Sequence, residues 1–363
     1  MQEKKENIFR VLSLDGGGMR GIYSATYLSH LVTAFSNFRK VNDLDVGAAF
    51  NLITGTSTGG IIACALAIGV PLNDVVQLYR QHGPNIFPLK MPTSFWSVIK
   101  QWYSRPRALE SGTRSLGKVL REKFGEKTLG EVYAQRGIAL SIPAVVMGNH
   151  RSWVFKTPHL PNTSSRDSQY QLVDVCLATS AAPLFRSLAA LDHPDSPSNY
   201  HIFADGGLWA NNPVLVGLID ALGLAEPKQP IEIFCLGTCS VPTGDIISKS
   251  SVHRGLMDWR FGAGAAALSI SAQEFAYDNM AQMFAKHVDH ACEIIRFPQE
   301  AVPSTLAKYL DLDETRPNAM DALENHARSD ADMAFSKCND PGHREGGYIK
   351  NLFMDMPMRA PPE

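Results

Sequence analysis

Twice within its first seventy residues the chain runs an apolar strand into a glycine-rich turn and out into a helix. The first unit is Phe9-Arg10-Val11-Leu12-Ser13-Leu14, then Asp15-Gly16-Gly17-Gly18, then a helical pattern from about Ile22 to Phe38. The second is Phe50 to Thr54, broken at Gly55 and followed by the apolar stretch Gly60 to Ile68. Repeated strand–helix units put helices on both faces of a mostly parallel sheet. Ile231 to Leu236 is apolar at every position but Glu232, as expected of a strand covered on both sides. Ile138 to Met147 reads as a strand with a bulge or end at Pro143, and Trp153 to Lys156 and Glu293 to Phe297 read as two more. The expected fold is a three-layer α/β/α sandwich with a mostly parallel central sheet and its site at the carboxyl ends of the strands.

Beyond these strands, Gly255 to His287 is rich in Ala, Met and Phe at helical spacing and reads as a core helix pair. Asn318 to Ser336 reads as a helix, and the Gly-, Pro- and Met-rich tail after Asp340 as irregular. Pro161–Ser168 and Pro194–Asn199 read as surface loops. A length of 363 residues allows two domains or one large one.

Composition removes several classes. Hydrophobic residues make up 45% and charged residues 19%, which excludes a wholly disordered chain. Lys plus Arg is 34 and Asp plus Glu 36, giving a net charge of -2, so nothing supports broad electrostatic attraction to nucleic acid or membrane. The six cysteines, at 64, 176, 235, 239, 292 and 338, include no CxxC pair, which argues against a zinc ribbon or a disulfide scaffold. The charged start MQEKKENIFR does not read as a signal peptide, and the longest apolar run, Ile61 to Val70, is too short to span a bilayer. The expectation is a soluble, reduced, cytoplasmic protein whose membrane contact is peripheral.

Three motifs carry chemistry. Asp15-Gly16-Gly17-Gly18-Met19-Arg20-Gly21 also satisfies the dinucleotide pattern GxGxxG. Its N–H groups at a helix start suit a pyrophosphate or an acyl-transfer oxyanion, and a tight packed turn needs the same glycines. Gly55-Thr56-Ser57-Thr58-Gly59-Gly60 is a GxSxG elbow between strand and helix, or a loop whose Ser or Thr caps the helix. Asp205-Gly206-Gly207 follows the apolar His201-Ile202-Phe203-Ala204 and places an acid at a strand end, or forms a plain Asp-Gly turn. Eleven histidines are present, none in a recognisable motif, and His82, His150, His159 and His201 read as surface or structural residues. His287-Val288-Asp289-His290 lacks the i, i+4 spacing of a two-His metal pair.

Taken in order, these motifs resemble the patatin-like phospholipase family. That family has a D-G-G-G-x-R oxyanion loop, here Asp15–Arg20, a G-x-S-x-G elbow, here Gly55–Gly59, and a later D-G-G or D-G-A, here Asp205–Gly207. Ala178-Thr179-Ser180-Ala181-Ala182-Pro183 looks like the family's segment upstream of the acid, with Phe185 as the aromatic that follows. The resemblance implies a catalytic core at residues 8–215, with 216–363 a C-terminal continuation packed on the same fold. It implies a Ser57–Asp205 dyad without a catalytic His, working through an acyl-enzyme on phospholipid esters. Gly16, Gly17, Gly18 and Thr58 would supply the oxyanion hole. Gly55, Gly59, Gly206 and Gly207 would support the turns, and Arg20 would fix the loop, meet a phosphate or anchor the helix start. No metal or organic cofactor is implied.

With Phe155-Lys156-Thr157-Pro158-His159 ahead of that upstream segment, the chain is also similar to a bacterial subgroup of phospholipase effectors in anti-phage signalling. That resemblance implies a cyclic dinucleotide activator and action at the inner membrane face. No motif marks a nucleotide pocket. Pro84 to Arg107 interleaves Phe87, Phe95, Trp96, Trp102 and Tyr103 with Lys90, Lys100, Arg105 and Arg107, which suits a packed insertion, a lid or a membrane-docking segment. Two other classes stay open. One is a dinucleotide-binding oxidoreductase using Gly16–Gly21, with Asp43 and Asp45 near the expected distance but ahead of the second strand. The other is an inactive lipid-binding scaffold.

Overall fold

The computed structural model describes residues 7–92, 100–160, 166–193, 196–239, 247–255, 257–259, 262–298 and 302–360. Among these, eight strands form one sheet: β1 (Phe9–Leu14), β2 (Leu52–Gly55), β3 (Ala139–Val146), β4 (Arg151–Lys156), β5 (Ala189–His193), β6 (Ser196–Asp205), β7 (Ile231–Leu236) and β8 (Cys292–Phe297). Their spatial order is β5-β6-β3-β2-β1-β7-β8, with β4 beside β3. The sheet is mixed. β3, β2, β1, β7 and β8 run parallel, while β4 and β6 pair antiparallel with β3, and β5 antiparallel with β6.

The helices are α1 (Gly21–Arg39), α2 (Thr58–Ala67), α3 (Leu72–Ile86), α4 (Arg105–Phe124), α5 (Leu129–Arg136), α6 (Leu172–Thr179), α7 (Gly207–Ala210), α8 (Val214–Leu224), α9 (Ala263–Ala285), α10 (Pro317–Cys338) and α11 (Arg344–Asp355). They cover both faces, and the central strands show why. Phe9 and Val11 of β1 join Ile231, Ile233 and Cys235 of β7 in a core closed by α8. Leu12 and Leu14 join Phe234 and Leu236 in the larger core on the other face, under α1, α2 and α6. A strand with a core on each side needs apolar residues on both faces, hence runs that are mostly apolar and do not alternate. Among the described residues no helix is long and apolar enough to cross a membrane.

The register of β3 decides where the site lies. At Ser141 it is flanked by Thr54 of β2 and Lys156 of β4, and at Ala144 by Asp205 of β6 and Trp153 of β4. A strand has two edges, so with β4 on one, β2 and β6 must share the other. β2 runs with β3 and β6 runs against it, so their carboxyl ends point at each other along one edge. Pro143 occupies the gap, beyond the β2 register at 139–141 and short of the β6 register at 144–146. The bulge or end expected at Pro143 does not occur. The strand runs through it, pairing with Val154 of β4, while on the other edge neither β2 nor β6 is in register at Pro143, where a residue without an N–H is tolerated.

Several other expectations change. Gly255–His287 holds one long helix, α9, in place of a core helix pair. Its inner face meets α7, α8 and β8, while Leu268, Phe275, Met283 and Phe284 are exposed. The tail after Asp340 is not irregular throughout, since α11 occupies 344–355, capped by the His343 side chain. Phe353 of α11 stacks on Phe35 of α1 with ring centres 4.7 Å apart. Residues 196–199, expected in a loop, begin β6, where Ser196 pairs with His193 of β5 ahead of a register shift. In the Pro84–Arg107 segment, Phe95 and Trp96 lie outside the described residues. Phe87 packs on the core, Lys90 pairs with Glu314 at 2.7 Å, and Trp102 and Tyr103 are exposed.

β7 pairs with β1 over six residues, Phe9↔Ile231 to Leu14↔Leu236, and α10 lies along α1. A chain cut after residue 225 would leave one edge of β1 unpaired and one face of α1 bare. We expect residues 7–225 expressed alone to be insoluble or to lack a cooperative unfolding transition, with the full chain as control.

Candidate active site

Ser57 and Asp205 sit at the two facing strand ends, and the Ser57 hydroxyl donates to Asp205 Oδ2 at 2.7 Å. Ser57 opens α2 with φ 56° and ψ −120°, a conformation that L-residues adopt only under constraint. Its neighbours supply that constraint. The Ser57 N–H donates to Thr179 Oγ1 at 3.0 Å, and Thr179 Oγ1 donates to the Pro143 carbonyl at 2.6 Å. The Thr56 N–H bonds the Leu14 carbonyl at 3.1 Å, tying the elbow to β1. A Cβ on Gly59 would strike the Leu14 carbonyl, and one on Gly55 the Gly59 carbonyl, so only glycine lets β1, β2 and α2 converge here.

Asp205 is held from the opposite side. Its N–H bonds Ala181 O at 3.0 Å and that of Gly206 bonds Thr179 O at 3.1 Å, so the Ala178–Pro183 segment is its bed. The Gly207 N–H donates to Asp205 Oδ1 at 2.6 Å, leaving Oδ2 for Ser57. A Cβ on Gly206 would strike the Pro143 carbonyl. Asp205 is 5% exposed and Ser57 8%. Burial pushes the Asp205 carboxyl up to about 6, against the pull of the Gly207 N–H, the Ser57 hydroxyl and the Arg186 guanidinium. A carboxylate shifted this way is a better proton acceptor than an ordinary aspartate.

The glycine loop lies beside the elbow. The Gly16 N–H donates to the Asn211 carbonyl at 2.9 Å, so it is already engaged, contrary to its expected place among the oxyanion donors. The Gly16 carbonyl accepts from Thr238 Oγ1 at 3.0 Å and Asn211 Nδ2 at 3.2 Å. For Gly17 and Gly18 no backbone acceptor of the N–H occurs among the described residues, and Thr58 stands at the first position of α2, where an N–H has no intrahelical partner. Arg20 forms no ion pair among the described residues. Its Nε donates to the Gly17 carbonyl at 3.3 Å, so of the three roles open to it the geometry shows loop fixing. Asp15 pairs with Arg296 of β8 at 2.8 Å, and Arg296 in turn with Asp278 of α9 at 2.8 Å. Burial pushes the Asp15 carboxyl up to about 7, against the pull of Arg296. The loop does not resemble an open nucleotide cradle. A Cβ at Gly16, Gly17 or Gly18 would collide with Asn211, Thr238 or Leu312.

Thr179, Arg186, Asn211 and Thr238 are the site residues that the motifs did not single out. Thr179 lay inside a recognised segment, but its role depends on a partner 122 residues away. Asn211 stands four residues after Gly207 of the Asp-Gly-Gly motif. Thr238 and Arg186 carried no spacing signal. The Phe155–His159 stretch lies apart from the site. Lys156 Nζ donates to Asp220 at 2.6 Å, and Thr157 hydrogen-bonds His159 at 2.7 Å.

The sequence matches the family model of patatin-like phospholipase over residues 12–218. A cGAMP-activated phospholipase of Pseudomonas aeruginosa is 34% identical over 278 residues, covering 75% of this chain and 74% of that protein. One from Vibrio cholerae is 30% identical over 346 residues, covering 92% and 94%. One from Escherichia coli is 27% identical over 356 residues, covering 95% and 92%.

Thr179→Val keeps shape but strips the Ser57 N–H of its acceptor and the Pro143 carbonyl of a donor. We expect a loss of about 2 kcal/mol in urea unfolding. Ser180→Ala, which removes only a bond to the Cys176 carbonyl within α6, should cost less than half as much.

Proposed function

The chain belongs to the patatin-like phospholipase family, and on that footing we propose that it is a serine lipid acyl hydrolase cleaving acyl esters of membrane phospholipids through Ser57 and Asp205. The observation that carries this reading is the 2.7 Å hydrogen bond between a strained elbow serine and a buried aspartate. Ser57 Oγ attacks the ester carbonyl carbon as its proton passes to Asp205 Oδ2. The ester C–O bond then breaks, and the proton leaves with the alcohol oxygen of the lysolipid. A water attacks the acyl-enzyme, gives its proton to Asp205, and Ser57 is restored with release of the fatty acid. The N–H groups of Gly17, Gly18 and Thr58 hold the oxyanion, each donor of this kind contributing about 3 kcal/mol to the transition state. Gly16 contributes by fixing the loop. This sequence of steps uses no metal or organic cofactor.

We extend the proposal to control. The relatives named cGAMP-activated support a cyclic dinucleotide as activator of this chain as well, in an anti-phage response acting at the inner membrane face. A free phospholipase in the cytoplasm would attack its host's own bilayer, so an off state has a physical rationale. The burial of Ser57 and Asp205 is consistent with one. The oxidoreductase alternative is disfavoured by the protein groups packed against all three loop glycines.

A fluorophosphonate ester probe, followed by mapping of the labelled peptide, tests the reading with and without added cGAMP. Labelling at Ser57 that is absent in Ser57→Ala and rises with cGAMP is the expected result. Folded protein that never labels would overturn it in favour of a lipid-binding scaffold.

Two further outcomes follow from Asp205. As the base it must be ionised, so kcat/KM on an ester should fall as pH drops through about 6 and level off above it. Its carboxyl lies above the ordinary value of 3.8, so proton binding favours the folded state as pH falls, and that contribution is lost as pH rises through about 6. Asp205→Asn removes the buried charge. At pH 8 calorimetry should find it more stable by about 3 kcal/mol and inactive on the ester.

A further inference from the structure

Two arginines are buried among the described residues, Arg20 in the glycine loop and Arg186 within electrostatic reach of Asp205. Arg20 donates to the carbonyls of Gly17 and Cys239. Arg186 differs. It is 5% exposed, yet its Nε and Nη2 have no hydrogen-bond partner among the described residues. A buried guanidinium with donors unmet costs several kcal/mol, unlike a paired one.

The backbone fixes where this group stands. The Arg186 N–H bonds the Ala182 carbonyl at 2.9 Å, and the Asp205 N–H bonds the adjacent Ala181 carbonyl at 3.0 Å. Arg186 therefore hangs from the same short segment that holds Asp205. That segment is clamped from outside. Leu184 has φ 73°, and its carbonyl accepts from Arg105 Nε at 3.1 Å. Asp205 lowers the cost of burying Arg186, but its two oxygens are engaged by Gly207 and Ser57.

We propose that Arg186 binds the phosphodiester of the lipid substrate and sets the preference for phospholipids over neutral acyl esters. This rests on the hydrolase reading and names what that site selects. A phosphodiester offers anionic oxygens to a planar guanidinium whose donors are unmet, and the match is strong and geometrically specific. A neutral glyceride offers no such partner. The same guanidinium beside Asp205 places the phosphate near the ester under attack, so recognition and reaction share one short segment.

The test compares wild type, Arg186→Met and Arg186→Lys on two short-chain monomeric substrates, dihexanoylphosphatidylcholine and dihexanoylglycerol, with cGAMP present. Arg186→Met replaces a buried charge by an apolar chain of similar reach, so it should fold. The ratio of kcat/KM between phospholipid and glyceride should fall about tenfold to a hundredfold in Arg186→Met, mostly through KM, with partial recovery in Arg186→Lys. An unchanged ratio, with both substrates failing equally, overturns the proposal and makes Arg186 a positioning residue for Asp205. A shift in the cGAMP concentration for half-activation, with the ratio unchanged, also overturns it and assigns the guanidinium to the activator. Calorimetric binding of the same two lipids to Ser57→Ala, with and without Arg186→Met, reads the phosphate contact without turnover. Inorganic phosphate, added as a competitor, should weaken phospholipid binding only where Arg186 is present. Wild type inactive on both substrates would defeat the hydrolase reading while leaving this binding comparison to decide Arg186.

Discussion

Everything at the site depends on two strands ending face to face along one edge of β3. β2 arrives with its carboxyl end at Gly55, β6 arrives from the opposite direction at Asp205, and the gap between them is opposite Pro143. A turn at each end must then lift a side chain out of the sheet without moving the strands apart. Small residues make this feasible. Glycines at 55, 59 and 206 let carbonyls of neighbouring segments approach closer than any Cβ would allow. Thr179 spans the gap, accepting from the Ser57 N–H and donating to the Pro143 carbonyl. The 2.7 Å bond between Ser57 and Asp205 is thus a consequence of topology before it is a feature of chemistry.

The same arrangement is costly for stability. Ser57 holds a backbone conformation with positive φ, and Asp205 and Asp15 are buried carboxyls pushed up to about 6 and about 7. Arg186 adds a buried guanidinium with donors unmet. A chain carries such groups only where the surrounding structure over-determines them. Here two cores on opposite faces of one sheet, closed by helices from both ends of the sequence, do so. Groups costly to fold and useful to react lie within one small region, as expected when function is maintained against stability.

How much of this was readable in the sequence follows from what leaves a local mark. The glycine loop, the elbow and Asp205-Gly206-Gly207 were readable because each makes strict backbone demands within six residues. The strands at 9–14, 50–54 and 231–236 were readable because cores on both faces make these stretches mostly apolar on both sides. Thr179, Thr238 and Arg186 left no such mark, since each acts on a residue distant in sequence. The Gly16 N–H was misassigned for a related reason, because its acceptor, the Asn211 carbonyl, becomes a neighbour only through the fold. α9 misled because apolar spacing shows that a helix has a face, not whether another element covers it. The tail misled because a single capped helix, begun at His343, can hold together a segment whose composition looks irregular.

The region matched by the family model stops at residue 218, short of several groups that hold the glycine loop. Thr238 beyond β7 donates to the Gly16 carbonyl, Leu312 accepts from the Met19 N–H at 2.9 Å, and Arg296 of β8 pairs with Asp15. Glu274 of α9 hydrogen-bonds the Asn211 side chain, which also reaches Gly16. Ser57 and Asp205 lie in the matched region, but the loop beside them is braced by Thr238, Glu274, Arg296 and Leu312. The same part of the chain forms β8, which pairs with β7, and α9, which packs on α7, so the loop cannot shift without disturbing them. The C-terminal part therefore touches Asp15, Gly16, Met19 and Asn211 directly, so a shift of β8 or α9 would act on the glycine loop through these contacts.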